Sequence, residues 1–241
     1  MMKKLLYIIS ILYITSGFSN DKVLEKLKLE EIIENFILNN PTVIIESLEN
    51  YRKKAELQIE GEVKENIEAF YKNKIYEDFP FIGQKETDII LVEFIDYNCG
   101  YCKKTLNTVR ELHKNIDSIR IVFVDFPILS ETSRMAAKAS LASNKQNSYF
   151  KYHSELLKHP GPLTKEVLLK LAEKLSLNIK KFEQDMESED IKNRIEENIS
   201  LAENFNIRGT PTFLLGNTIL AGAHDYKKLK NIINNRKKRI D

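Results

Sequence analysis

Cys99 and Cys102 are the residues of this chain whose types and spacing point most directly to chemistry. An apolar, β-branched run ends four residues before Cys99, so Cys99 is predicted to begin a helix after a strand. Residues three apart on a helix share one face within disulfide range. The free N–H groups and the dipole at a helix N-terminus favour a thiolate. Cys99 is therefore predicted to be an exposed nucleophile, and Cys102 the resolving thiol that attacks the mixed disulfide with a substrate.

The same cysteine pair could also be a structural disulfide, part of a zinc site or two inert thiols. A structural disulfide would close a loop of four residues, which stabilises a domain by only roughly 2 kcal/mol in the chain-entropy model. A zinc site needs about four ligands, whereas the chain has two cysteines, and its four histidines lack ligand spacing near them. Two inert thiols would oxidise outside the reducing cytoplasm. We therefore expect redox chemistry that uses neither a metal nor another cofactor.

Glu93 is a further candidate for the site, because it precedes Cys99 by six residues. Its apolar neighbours predict a partly buried carboxyl group near the same end of the strand. Such a carboxyl has a raised pKa and can exchange a proton with the resolving thiol. A glutamate that faces solvent at the strand end would fit the same spacing.

Pro211 opens an apolar run that is predicted to be a strand. A proline cannot donate a hydrogen bond to a neighbouring strand, so it belongs at a sheet edge or in a special turn. In the cis form it would be a fixed feature of such a turn. Thr210 could then offer its backbone groups to an extended substrate, in the manner of an added strand.

A strand, a helix and a second strand must position the cysteines. Residues 88–95 and 118–126 are rich in β-branched and apolar side chains and predict two buried strands, with a helix over residues 99–114 between them. This order is typical of a βαβ unit with parallel strands. Helical spacing continues over about 130–206, and two short strands around Gly216-Asn217 and a final helix follow. The predicted class is α/β with a helical insertion.

The N-terminal part of the chain predicts an export signal and a helical arm. Residues 1–19 combine a basic start, an apolar run of about ten residues and a small, polar end, as in a secretory signal peptide. An uncleaved membrane anchor is the alternative. In the arm, residues 20–78, apolar side chains recur at steps of three and four on both sides of a break at Pro41. This stripe can pack on the chain's own domain, on a second copy of the chain, or on both.

The composition excludes several classes of protein. The 241 residues are 42% hydrophobic and 30% charged, which suits a chain with a core and excludes a disordered or collagen-like one. Lys and Arg number 37 against 35 Asp and Glu, and the excess of two lies within the first 20 residues. A neutral body argues against nucleic acid as the main partner.

The residues around the cysteines and Pro211 resemble the thioredoxin superfamily, in particular its exported DsbA-like branch. The matching segments are residues 92–103 (VEFIDYNCGYCK) and 207–213 (IRGTPTF), and the helices inserted between them suit that branch better than a minimal thioredoxin. The resemblance implies a thioredoxin-like domain, which we place at residues 79–241 with its insertion at about 130–206. It also implies these roles: Cys99 as nucleophile, Cys102 as resolving thiol in a redox-active disulfide with it, Glu93 as buried acid, and Thr210 with a cis Pro211 as the substrate-binding platform.

The resemblance and the export signal together imply a periplasmic protein-disulfide oxidoreductase. Its oxidised form would donate the Cys99–Cys102 disulfide to reduced or misfolded exported proteins, and a membrane redox partner would reoxidise it. A disulfide isomerase or reductase that forms a homo-oligomer through the N-terminal arm is an alternative, because Gly100 and Tyr101 stand where strong oxidants of the family often carry Pro-His. A second alternative is a non-catalytic exported binding protein or holdase on the same scaffold.

Overall fold

The structure, a computed structural model, describes residues 23–238, so the predicted signal peptide at residues 1–19 lies outside it. The chain divides into two units, Met1–Ile59 and Glu60–Asp241. Helix α1 (residues 23–39) and helix α2 (Pro41–Lys72) confirm the predicted helical N-terminal region. The boundary predicted at residue 78 stays a prediction. Between residues 23 and 238, no helix is both long and apolar enough to cross a membrane.

Five strands form one sheet in the second unit. They are β1 (Phe81–Gly83), β2 (Ile90–Ile95), β3 (Arg120–Asp125), β4 (Thr212–Leu215) and β5 (Thr218–Ala221). Helix α3 (Gly100–Asn115) connects β2 to β3, and these two strands pair in parallel, which confirms the predicted βαβ unit. The order across the sheet is β1-β3-β2-β4-β5, and every other neighbouring pair is antiparallel.

The remaining helices follow β3 and β5. Between β3 and β4 lie α4 (Glu131–Asn144), α5 (Tyr149–Lys158), α6 (Lys165–Lys174), α7 (Ile179–Met186) and α8 (Glu189–Asn204), and α9 (Tyr226–Lys237) follows β5. Polar caps separate several of them, since Ser130, Thr164, Asn178 and Ser188 each accept a hydrogen bond from the N–H three residues later. The predicted insertion is therefore a set of five short helices.

The core covers the central strand β2 on both faces. On one face Leu91 packs in a cluster with Leu112 of α3. On the other face Val92 packs in a cluster with Phe70 of α2 and Phe205. A strand covered on both sides has a continuous apolar run as its sequence, which explains why the sequence pattern identified β2.

Strand β1 has no counterpart among the predicted elements. Its three residues pair with β3 and so extend the sheet by one short edge strand. The buried side chain of Arg120 supports it: the guanidinium lies 4.0 Å from the centre of the Phe81 ring and 5.1 Å from that of Tyr76, and donates to the carbonyl oxygen of Lys85 at 3.2 Å. These are contacts between distant residues, which a local pattern does not reveal.

Replacing Phe70 by alanine should lower the free energy of unfolding by about 3–5 kcal/mol. Phe70 is fully buried and meets Tyr71, Tyr76 and Phe205 edge to face, so the truncation opens a cavity. The control is Leu57→Ala on the same helix, where the side chain is 59% exposed and the expected change is within about 0.5 kcal/mol. Urea unfolding followed by circular dichroism measures both, and equal losses would contradict the packing of α2.

Candidate active site

The turn between β2 and α3 carries the cysteine pair. Cys99 is the N-cap of α3, with extended backbone dihedrals (φ −75°, ψ 115°). Its N–H donates to the carbonyl oxygen of Asp96 at 3.0 Å, which closes the turn. The first N–H groups of α3 have no carbonyl partner within the helix, so the positive end of the helix dipole lies at Cys99.

The two cysteines lie in different surroundings, although one helical turn separates them. Both are free thiols, and Cys99 keeps 8% of its surface exposed whereas Cys102 keeps none. The prediction of an exposed Cys99 was wrong, because the segment at Thr210 covers it: the Cys99 thiol donates to the Thr210 carbonyl oxygen at 3.2 Å. Within residues 23–238, no group of three or more His, Cys, Asp or Glu side chains is placed to hold a metal ion.

The segment before β4 completes the site around Cys99. The Thr210–Pro211 peptide bond is cis. The carbonyl oxygen of Pro211 accepts the N–H of Gly222 at 2.8 Å, and the hydroxyl of Thr212 donates to the carbonyl oxygen of Gly209 at 2.8 Å. The structure thus brings the two predicted motifs together. That Thr210 and Pro211 bind substrate stays a prediction, which this juxtaposition supports.

Glu93 is buried inside β2 rather than partly buried near the strand end. It keeps 1% of its surface, and its cross-strand neighbours are Phe123 of β3 and Phe213 of β4. Burial raises the pKa of Glu93 to about 7, and a hydrogen bond from Thr105 acts in the opposite direction. The middle of the sheet therefore holds a carboxyl group that changes charge near neutral pH.

Thr105, which the sequence analysis did not single out, connects Glu93 to α3. Its Oγ1 lies 2.8 Å from Oε1 of Glu93 and 2.9 Å from the carbonyl oxygen of Cys102. Burial raises the pKa of the Cys102 thiol well above its usual range, and the negative charges of Glu93 and Cys99 add to this effect. Cys102 thus needs a proton acceptor when it reacts as a thiolate, and Glu93, whose charge acts on this thiol, is the candidate for that role.

Asp96 and Asn98, which sequence reasoning also missed, hold the turn against the loop after β3. The carboxylate of Asp96 accepts the N–H groups of Asn98 at 2.8 Å and of Ile128 and Leu129 at 3.0 Å each. The bond from Asn98 forms an Asx turn, whose spacing is visible in the sequence. The side-chain amide of Asn98 lies within 3.0 Å of the hydroxyl oxygens of Ser130, Thr132 and Ser133.

Asp125, a further buried acid, lies behind the turn. Asp125 accepts hydrogen bonds from the hydroxyl groups of Tyr97 at 2.9 Å, Tyr149 at 2.8 Å and Ser140 at 2.6 Å. Burial raises the pKa of Asp125 to about 6 and lowers that of His153, next to the Tyr97 hydroxyl, to about 3. Through Asp125, these hydrogen bonds connect Tyr97 of the active-site turn to Ser140 of α4 and Tyr149 of α5, two of the inserted helices.

Exposed apolar side chains flank the turn. Tyr101 is 62% exposed, and Ile128 and Leu129 are exposed as well; we call these three residues the apolar rim. The ammonium group of Lys104 lies 5.0 Å from the centre of the Tyr101 ring. Since Asp96 binds the backbone of Ile128 and Leu129, the rim is held in place beside the turn.

The chain resembles known proteins in sequence and in fold. The family model described as Thioredoxin matches residues 76–235. The solved structure of a thioredoxin-like oxidoreductase from Silicibacter pomeroyi is 30% identical with a TM-score of 0.64, over 67% of this chain and 93% of that one. The thiol-disulfide exchange protein alpha-DsbA2 from Wolbachia pipientis is 26% identical with a TM-score of 0.68, over 73% of this chain and 96% of that one.

A curated relative is the Na(+)/H(+) antiporter NhaA 3 of Salinispora tropica, which is 30% identical over 149 residues, 61% of this chain and 23% of that protein. The chain spans about a quarter of the length of the antiporters that it matches. The family match and the solved structures confirm the predicted thioredoxin-like fold and the resemblance to DsbA-like proteins. The predicted class of enzyme agrees with the names of both solved structures.

The stability of the protein should fall between pH 5 and pH 8, and Glu93→Gln should remove part of that loss. The pKa of Glu93 is about 7 in the folded protein against a usual value of 4.5. Between these values the folded protein binds more protons than the unfolded chain, so the free energy of unfolding decreases as the pH rises. For one group with this difference the loss is about 3 kcal/mol.

Urea unfolding of both proteins at pH 5 and pH 8 measures this difference. At pH 5 both folded proteins carry an uncharged side chain at position 93, so that pH serves as the control. An equal loss of stability in the two proteins would contradict the raised pKa of Glu93.

Proposed function

Because the chain belongs to the thioredoxin family, we propose that it is a thiol-disulfide oxidoreductase whose Cys99–Cys102 pair reacts with other proteins. One observation carries the proposal: the Cys99 thiol, at the N-cap of α3, lies 3.2 Å from the carbonyl oxygen of Thr210 beside a cis Pro211. The names of the two similar solved structures, an oxidoreductase and a thiol-disulfide exchange protein, support the same activity.

In the proposed oxidase reaction, the oxidised protein starts with a disulfide between Cys99 and Cys102. A client thiolate attacks the sulfur of Cys99, and Cys102 leaves as a thiolate that takes a proton from Glu93. A second client thiolate then attacks the client sulfur of the mixed disulfide, and Cys99 leaves. The client loses two electrons and two protons and gains a disulfide, and the protein gains a dithiol.

The surroundings of the two sulfurs suit this division of roles. Cys99 lies at the N-cap of α3, beside the free backbone N–H groups of the first helical turn, where its sulfur can leave the mixed disulfide. Cys102 is buried beside Glu93, which can give a proton to its thiolate or take one from its thiol. Cys99 therefore forms the mixed disulfide with the client, and Cys102 is the leaving group of the first step.

The apolar rim favours reduced or misfolded proteins as clients. Such chains expose apolar side chains that a folded protein has buried, and these can pack on Tyr101, Ile128 and Leu129 beside Cys99. Export to the periplasm is supported by the signal-peptide pattern of residues 1–19. Each turnover leaves a dithiol, so an oxidant must restore the disulfide, and we assign this step to a membrane redox partner.

A disulfide isomerase or reductase that works as a homo-oligomer is the second candidate, and the first unit favours it. Large apolar side chains are exposed along residues 23–59 of the single chain, among them Leu27, Ile33, Phe36, Ile44 and Leu48. Exposed apolar surface of this extent is typical of a protein interface. The same helices of a second copy would cover it, and an assembly with several dithiols could then act on one misfolded client.

Cys99→Ser should abolish oxidation of a reduced, unfolded protein. Cys102→Ser should trap the mixed disulfide that forms when its Cys99 thiolate attacks a client disulfide, because the resolving thiol is missing. Recovery of the activity of a client that needs its disulfides measures the first effect, and a non-reducing gel the second. Unchanged recovery with Cys99→Ser would favour the non-catalytic binding protein. Equilibration with glutathione gives the reduction potential: about −120 mV favours the oxidase, and about −270 mV a reductase.

Ile44→Glu combined with Leu48→Glu should convert an oligomer into a monomer, because the charges would be buried at the interface. Sedimentation equilibrium measures the mass. Lys53→Glu, an exposed change on the same helix, is the control and should leave the mass unchanged. Reactivation of a scrambled client should be lost in the double variant. A wild-type protein that is already a monomer would contradict the second candidate.

A further inference from the structure

Thr105 is a buried hydroxyl group that the exchange reaction above does not use. It lies on α3, one helical turn after Cys102, and Thr105, Cys102 and Glu93 each keep at most 1% of their surface exposed. Its oxygen is within 2.9 Å of two acceptors, the Glu93 carboxyl group and the Cys102 carbonyl group. A hydroxyl has one hydrogen, so Thr105 can donate to one of them at a time.

The charge of Glu93 decides which acceptor receives that hydrogen. An ionised carboxylate can only accept, and it binds a donor more strongly than a neutral carbonyl does. Thr105 therefore donates to Glu93 when Glu93 is ionised. A protonated Glu93 can itself donate to the oxygen of Thr105, which frees the Thr105 hydrogen for the carbonyl group of Cys102. A continuous chain of hydrogen bonds then runs from Glu93 through Thr105 to Cys102.

We propose that Thr105 is a positioning residue of the active site, which holds the Glu93 carboxyl group beside Cys102 and reverses its hydrogen bond when Glu93 changes charge. The inference rests on the proposed exchange activity. In the reverse of the first oxidase step, the Cys102 thiol attacks the Cys99–client disulfide, the Cys99–Cys102 bond forms and the client leaves as a thiolate. The proton of Cys102 passes to the Glu93 carboxylate, and Thr105 turns from Glu93 to the Cys102 carbonyl. Because Thr105 stabilises the ionised carboxylate, it keeps Glu93 able to accept a proton at neutral pH.

The other groups around Glu93 explain why Thr105 has this effect on the charge of the Glu93 carboxyl group. Among residues 23–238, the hydrogen-bond partner that the structure gives the Glu93 carboxyl group is Thr105. The neighbouring strands present aromatic rings, which neither donate to the carboxylate nor carry charge. The charge of Glu93 acts on Cys102 of α3. The cross-strand neighbours of Glu93 are Phe123 of β3, whose ring contacts His153 of α5, and Phe213 of β4.

A carbon-13 NMR titration of the reduced, full-length protein tests the inference. In the wild type, the Glu93 carboxyl signal and the Cys102 carbonyl signal should change with one common midpoint. In Thr105→Val, which keeps the shape without the hydroxyl, the Glu93 midpoint should rise by about 1 to 2 pH units. The Cys102 carbonyl signal should no longer follow it. Thr105→Ser, which restores the hydroxyl, should restore both behaviours.

The kinetic readout is the rate at which Cys102 resolves a mixed disulfide at Cys99. In Thr105→Val this rate should fall about tenfold at pH 7, as expected for a proton acceptor ionised about tenfold less, and recover at higher pH. A residue that only packs would lower the rate equally at every pH, and that result would overturn the inference.

Two further results would overturn it. One is an unchanged Glu93 midpoint in Thr105→Val. The other is a wild-type Cys102 carbonyl signal that stays constant while Glu93 titrates. This measurement needs no substitution, so it tests the inference even if the valine variant fails to fold. The titration reads protonation rather than activity. Failure of the proposed function would instead appear as a wild-type protein that titrates as expected but exchanges no disulfide with a client.

Discussion

The hydrogen bond from the Cys99 thiol to the Thr210 carbonyl joins two segments that are 111 residues apart in the chain. The register of the sheet makes this contact possible. Strand β4 runs antiparallel to β2 with Thr212 opposite Phe94, so the residues just before β4 lie beyond the end of β2, where the active-site turn begins. A register slip of one residue would turn the side chains of β4 to the opposite face and separate the two segments.

The helix above this contact gives the two sulfurs opposite environments. Cys99 lies at the helix start, where backbone N–H groups favour negative charge, and Cys102 lies one turn further in, where burial opposes it. Glu93 adds a carboxyl group at the buried end of the pair. The positive end of the helix therefore lies at one sulfur and the buried carboxyl group at the other, within a single turn of α3.

Local patterns were sufficient to predict the elements that carry the pair, because the buried strands β2 and β3 and the helix between them each leave a signal in consecutive residues. Strand β1 was not predicted, since three residues are too few to show a period. The burial of Cys99 and the bonds of Asp96 to the loop after β3 depend on segments brought together by folding. Thr105 lies three residues after Cys102 and so on the same helix face, but its bond to Glu93 follows from how α3 packs on the sheet.

The chain contains two cysteines, and both belong to this one site. A thiol-reactive mass tag would thus report the oxidation state of the site on a gel, because every tag bound to this chain is bound at the site. The denatured protein takes two tags when reduced and none when oxidised. The folded, reduced protein leaves 8% of Cys99 open to such a reagent and none of Cys102. One tag in the folded state against two in the denatured state would therefore report that the first turn of α3 is intact, in a purified sample or in a cell extract.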